Sequence, residues 1–302
     1  MPTPSRAGRS VLAANDLKTE THRLTNITNE LVAYNDTLNQ ALQLARDLAI
    51  QAGAILRDRL HGERQVVLKG AVDLVTDADH ASEQLIWEGL RAAFPTHRIT
   101  GEEGSVGAEA TIAEQPFGWV FDPLDGTTNY AHGLPIFCVS IALERSGEVV
   151  LGVVHDPMGE ETFVAERGRG AFLNGELIRV SDTHELIRAL IATGFPYDRA
   201  EMPEALELFG RFAATTQGMR RLGSAALDLC HVASGRIDGY YERGLWPWDL
   251  AAGSVILEEA GGKLTNYRGG KLDLGGREIV ASNGRLHPAI TKLMGENDRV
   301  GS

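Results

Sequence analysis

Cysteine is almost absent: Cys138 and Cys230 are the only two in 302 residues. Each sits in an apolar run, Ile136-Phe137-Cys138-Val139 and Leu227-Asp228-Leu229-Cys230. Core packing in a reducing compartment is therefore expected, rather than a disulfide or a nucleophile. No stretch reaches the roughly 18 apolar residues that a membrane helix needs. The opening Met1-Pro2-Thr3-Pro4-Ser5-Arg6 has no apolar signal core, so a cytoplasmic location with no membrane contact is expected. Positive charge is also short, with 29 Lys and Arg against 41 Asp and Glu and a net charge of -12. A nucleic-acid groove or an anionic membrane surface is a poor partner for such a chain.

Several catalytic signatures are missing too. There is no Walker A loop, which argues against nucleoside-triphosphate hydrolysis, and no Gly-x-Ser-x-Gly elbow. No histidine pair has metal-ligand spacing, so any metal site must be built from oxygen, which favours magnesium over zinc. An acidic protein that handles anionic substrates needs such a metal to invert the local field.

What is present centres on Trp119-Val120-Phe121-Asp122-Pro123-Leu124-Asp125-Gly126-Thr127-Thr128-Asn129. The apolar triplet Trp119 to Phe121 reads as the end of a buried strand. Pro123 holds Asp122 extended, and Gly126 permits a sharp turn. Two carboxylates then aim at one point beside free backbone N–H groups and two hydroxyls, an arrangement suited to a hard cation and to phosphate. The plainer alternative is a surface turn in which Asp and Thr serve as caps. Further acids beside small residues or strand ends are Asp79, Glu102, Glu103, Glu242 and Asp249. Asp249 opens a helix whose next turn, Ala251-Ala252-Gly253, leaves room for close approach; cap and ligand are equally good readings of it. Two metals would draw on about four such carboxylates and serve phosphoryl transfer.

Along the chain, the first 20 or so residues are polar. A core helix is expected over about 38 to 60, capped by Asp36 or Thr37. A helix from Asp77 or Asp79 to Phe94 follows, then a strand ending at Glu102-Glu103, and a polar linker over 104–117. Strands are expected at Phe137 to Glu144, Val149 to His155 and Thr162 to Ala165, with a hairpin turn at Asn174-Gly175. After these come a strand over Leu186 to Thr193, helices over Pro203 to Thr216, Ser224 to Gly235, Trp248 to Ala260 and Leu286 to Met294, and strands at Gly218 to Leu222, Ile237 to Glu242, Lys263 to Thr265 and Ile279 to Ser282. There is no internal repeat. The pattern implies an α+β or α/β layered sandwich.

Glu102-Glu103 after a strand, Asp122-Pro123-Leu124-Asp125-Gly126-Thr127-Thr128-Asn129, and Trp248-Asp249-Leu250-Ala251-Ala252-Gly253 together resemble the inositol monophosphatase family. Lys69 and Asp73-Leu74-Val75-Thr76 with Asp79 are similar to its N-terminal signature. The resemblance covers about residues 38–296. It implies the alternating αβαβα sandwich that this family shares with fructose-1,6-bisphosphatase, with residues 1–37 as an N-terminal extension and 297–302 as a tail. It implies a magnesium-dependent, lithium-sensitive phosphatase with two to three Mg2+ ions, working as a homodimer. Carried across, Glu102, Asp122, the Leu124 carbonyl, Asp125 and Asp249 would bind metal. Thr127, with Asp79, would orient and deprotonate the attacking water, and Glu102 would take part in catalysis by helping to hold a third, weaker ion. Gly126 and Thr127 would cradle the phosphate. Asp125, Gly223, Ser224, Ala225 and Glu242 would contact the alcohol of a small phosphorylated polyol. Inositol 1-phosphate is the expected substrate, with histidinol phosphate and fructose bisphosphate as alternatives within the family and a non-catalytic regulatory role as the alternative outside enzymes. A haloacid-dehalogenase-type phosphatase is disfavoured, because its two acids stand two residues apart and these stand three.

Overall fold

A computed structural model describes residues 35–60, 66–68, 74–104 and 116–295. The chain divides into two compact units, Met1–Gln43 and Leu44–Ser302. Helix α1 covers residues 35–59, and residues 35–43 of it are all that is described of the first unit. Asp36 and Thr37 thus lie inside a helix that has already begun by residue 35, and the cap expected there is not formed by them. Lys69, Asp73 and residues 105–115 of the expected linker lie outside the described residues.

In the second unit, the short strands β1 (Val66–Leu68) and β2 (Leu74–Thr76) pair antiparallel and lead into α2 (Asp77–Ala93). A reciprocal cap starts α2: Thr76 Oγ1 accepts from the backbone of Ala78 and Asp79, and the Asp79 carboxylate accepts from the Thr76 N–H at 2.9 Å. Such a box satisfies donors that a helix start otherwise leaves unpaired.

A seven-stranded sheet follows, formed by β3 (Arg98–Gly101), β4 (Phe117–Asp125), β5 (Cys138–Arg145), β6 (Glu148–Asp156), β7 (Glu161–Glu166), β8 (Gly170–Leu173) and β9 (Glu176–Leu177) in that spatial order. Only β3 and β4 run parallel; the remaining pairs are antiparallel. The short helix α3 (Thr127–Ala131) follows directly on β4. Asn174 and Gly175 form the β8–β9 turn, both at positive φ, as this dipeptide favours.

A second, five-stranded sheet has the order β11 (Gly218–Arg220), β10 (Leu190–Thr193), β12 (Gly239–Arg243), β14 (Glu278–Ser282), β13 (Lys263–Thr265). The stretch expected as one strand from Leu186 is instead a 3-10 turn, Leu186–Arg188, followed by β10. The turn closes through an Ala189 N–H to Leu186 carbonyl bond, so the chain changes direction before it can pair.

Helices α5 (Ala225–Ala233) and α6 (Pro247–Glu259) lie between the two sheets. Both are apolar around most of their circumference, as a helix with sheets on two sides must be. Leu229, Ala251, Val255 and Ile256 meet Val120, Ala142 and Val154 of the larger sheet and Tyr240 and Ala281 of the smaller one in a single core. Helices α4 (Met202–Thr215) and α7 (His287–Met294) cover the far face of the smaller sheet through Leu208, Phe212 and Ile290. Helix α2 packs on β3 and β4 at the opposite face of the larger sheet. The second unit is therefore a mixed layered fold, α-β-α-β-α.

Candidate active site

β4 does not stop at Phe121. It continues through Pro123 to Asp125, with a register shift against β5 between Asp122 and Asp125. Proline removes one ladder donor, and an irregularity in pairing accommodates it. The freed groups are reused: Asp122 Oδ1 accepts from the Leu124 N–H at 2.8 Å, and the Pro123 carbonyl accepts from Ser82 Oγ of α2 at 2.8 Å. Gly126 then turns the chain at φ 102°, and a methyl there would press on the Ile136 carbonyl. A left-handed residue in so close a place has to be glycine.

Asp125 is held at one oxygen. Oδ2 accepts from Ser224 Oγ at 2.7 Å and from the Ala226 N–H at 2.7 Å, both at the start of α5, with the Cys138 thiol 3.8 Å away. Asp249 lies in the first turn of α6, where its Oδ2 accepts the Trp246 N–H at 2.7 Å. Cap and cluster member are thus compatible, since a carboxylate has two oxygens. One carboxylate oxygen from each of Asp122, Asp125 and Asp249 lies within 4.8 Å of the others. These three make no ion pair with a basic side chain among the described residues. Burial raises all three acids above the usual carboxylate range. At Asp122 the charges of Glu102, Asp125 and Asp249 add to it, and at Asp249 those of Asp125, Glu102 and Glu242. Buried like charges in oxygen-only surroundings fit a hard divalent cation.

Asp79 stands just behind this cluster. Its Oδ2 is taken by Thr76, while Oδ1 is 3.4 Å from Thr127 Oγ1, which itself donates to the Leu124 carbonyl at 3.0 Å. Burial, opposed by its bonds to Thr76, pushes Asp79 up to about 6.

Glu102, Asp122, Leu124, Asp125, Gly126, Thr127, Gly223, Ala225, Glu242 and Asp249 all line one cleft with about 860 Å³ of open space. Asp79 and Ser224, the other two expected site residues, stand behind that lining. Ser224 is 1% exposed and turns its hydroxyl to Asp125 rather than to the cleft. Glu242, on β12, accepts from Tyr240 Oη at 2.7 Å, and burial raises it to about 7.

The cleft also contains residues that reading the chain alone missed: Phe195, Tyr197, Arg221 and Arg243. Trp246 lines the cleft, while Trp248 stacks on it at 5.4 Å and packs against the core. Asp228 is a further omission. It is buried on α5, Oδ1 has no hydrogen-bond partner among the described residues, and burial, followed by the charges of Glu242 and Asp125, holds it well above the usual range. An acid within the apolar run Ala225-Ala226-Leu227-Asp228-Leu229 was the available signal.

Comparison with known proteins agrees with this geometry. The model of the inositol monophosphatase family matches residues 37–299. The inositol-1-monophosphatase of Synechocystis sp. is 43% identical over 256 residues, covering 84% of this chain and 88% of its own. A protein named Nus factor SuhB from Pseudomonas aeruginosa is 43% identical over 260 residues, covering 84% and 93%. Among solved structures, an inositol monophosphatase from Anabaena superposes with a TM-score of 0.77 at 44% identity, covering 86% of this chain and 97% of its own. With its buried acid cluster, layered fold and close relatives in agreement, the chain belongs to the inositol monophosphatase family.

Proposed function

We propose that the protein is a magnesium-dependent phosphate monoester hydrolase whose substrate is inositol 1-phosphate. The observation that carries the metal chemistry is the triplet Asp122, Asp125 and Asp249, three carboxylates gathered within 4.8 Å with no ion-paired basic side chain among the described residues, and the choice of substrate is supported by the names of the relatives. Glu102, Asp122, the Leu124 carbonyl, Asp125 and Asp249 would hold magnesium, which supplies Lewis acidity to the phosphoryl group, a more acidic water and charge neutralisation at the leaving oxygen. The chain's own groups do the positioning. Thr127 Oγ1, held between the Leu124 carbonyl and Asp79 Oδ1, orients the attacking water. Asp79, raised to about 6, is ionised at neutral pH and accepts its proton. The backbone at Gly126 and Thr127 faces the phosphate, and Glu242, Gly223 and Ala225 meet the alcohol.

The relatives' names divide between inositol monophosphatases and a Nus factor, so a non-catalytic role is the second reading. The full set of acids favours catalysis. The test is phosphate release from inositol 1-phosphate, histidinol phosphate, fructose 1,6-bisphosphate and 3′-phosphoadenosine 5′-phosphate, with and without magnesium and lithium. Inositol 1-phosphate with magnesium should lead, and lithium should inhibit. Release from none of them would favour the non-catalytic role, and covalent phosphate trapped on Asp122 or Asp125 would replace direct attack by water with an aspartyl-phosphate route. A homodimer completes the reading; it rests on the family resemblance, with mass in solution as its check.

A further inference from the structure

We propose that Gly194 is a specificity-determining position, because its missing side chain makes the niche in which the Glu242 carboxylate is laid against the cleft. The proposal rests on the reading of Glu242 as a contact to the leaving alcohol. β10 and β12 are parallel neighbours, with Thr193 opposite Tyr241, so the next residues on, Gly194 and Glu242, come side by side. A methyl carbon at position 194 would overlap Glu242 Cδ and both of its carboxylate oxygens. The backbone itself does not ask for glycine here, since Gly194 is not among the residues at positive φ. The carboxylate is therefore what demands the empty space.

Tyr240 Oη donates to Glu242 Oε2 at 2.7 Å, and the charge of Arg221, which also lines the cleft, favours the ionised carboxylate. A side chain at 194 would push the acid away from Tyr240 without disturbing β10. An acceptor pinned in this manner rewards an alcohol that presents a hydroxyl at that point and gives nothing to one that has none. Position 194 thus decides how strongly the cleft prefers a polyhydroxylated leaving group, while the acids of the metal cluster handle the phosphate end common to all substrates.

The experiment compares wild type, Gly194→Ala, Glu242→Ala and the double variant on inositol 1-phosphate and on phenyl phosphate, whose leaving group carries no further hydroxyl. The kcat/KM ratio of the first ester over the second should fall about tenfold or more in Gly194→Ala, mainly through KM, the size expected for a lost hydrogen bond to a charged group. The double variant should match Glu242→Ala within about twofold, since both changes remove one interaction. Its thermal midpoint should also equal that of Glu242→Ala, while Gly194→Ala alone should melt lower, because only there do methyl and carboxylate compete. A ratio left unchanged by Gly194→Ala, or losses that multiply in the double variant, would overturn this proposal alone. A wild type that releases phosphate from neither ester would overturn the inositol 1-phosphate reading and this proposal with it.

Discussion

The two ends of the cleft are built by opposite means. At the metal end, each of the three clustered aspartates is held by a backbone donor that lies near it in sequence or at a helix start: Asp122 by Leu124, Asp249 by Trp246, and Asp125 by Ala226, which the Ser224 hydroxyl joins. At the alcohol end, Glu242 is held by the Tyr240 side chain and by the gap at Gly194. Backbone donors persist through most substitutions, whereas a phenol and a void are single residues. The metal end is therefore hard to alter without losing it altogether, and the alcohol end is easy to retune. On the proposed assignment, a common phosphate chemistry with variable alcohols would follow from that division.

The contrast can be broken most directly at the metal end. Asp249→Asn should reduce magnesium-dependent phosphate release on the order of 10³-fold or more for every ester tested, because the transition-state charge loses its support. An effect confined to inositol 1-phosphate would show that the two ends are not separate. Ser224→Ala should weaken magnesium binding about tenfold or more, read by calorimetry on the protein, since groups behind a ligand typically carry that much. A change in KM at saturating magnesium, with metal affinity intact, would return Ser224 to the alcohol pocket. Tyr240→Phe should have the smallest kinetic effect, about fivefold on inositol 1-phosphate, the worth of one hydrogen bond.

Stability offers another handle. In metal-free protein, Asp79 near 6 and Glu242 near 7 bind protons more tightly folded than unfolded. Their contribution is fully present below the unfolded carboxylate range and is lost as pH rises through about 4 to 7. Thermal melts without metal should therefore fall across that window, and added magnesium should raise the midpoint most at its upper end, where the acids are ionised. A metal-free midpoint that rises over the same range would contradict the buried-acid picture. Gly126→Ala should cost roughly 1–3 kcal/mol in denaturant titration, the usual penalty for a strained left-handed residue.

Much of the metal end was legible in the chain, because its constraints are local. Asp122, Asp125 and Thr127 lie within six residues, and Asp249 within one helix turn of Trp246. Local turn chemistry also located the hairpin at Asn174-Gly175. Less was legible where partners are distant. The family resemblance put Ser224 in the alcohol pocket with Gly223 and Ala225, yet its hydroxyl serves an acid 99 positions earlier. β4 was expected to end at Phe121, where the apolar triplet stops; β5 tolerates the shift and carries the strand on to Asp125.

What the amino-acid order determined by itself was the kind of chemistry: oxygen ligands without histidine partners, a proline-braced pair of acids, and helices apolar enough to be enclosed by sheets. What only the tertiary structure decided was which acid answers to which donor. Asp79 meets Thr127 across 48 positions, Asp125 meets α5, and Glu242 rests on Gly194. The reason is physical. Bonds within a turn depend on a few dihedral angles that residue types restrict, whereas a carboxylate's pairing across layers depends on how whole sheets and helices pack, and no short stretch of sequence contains that information.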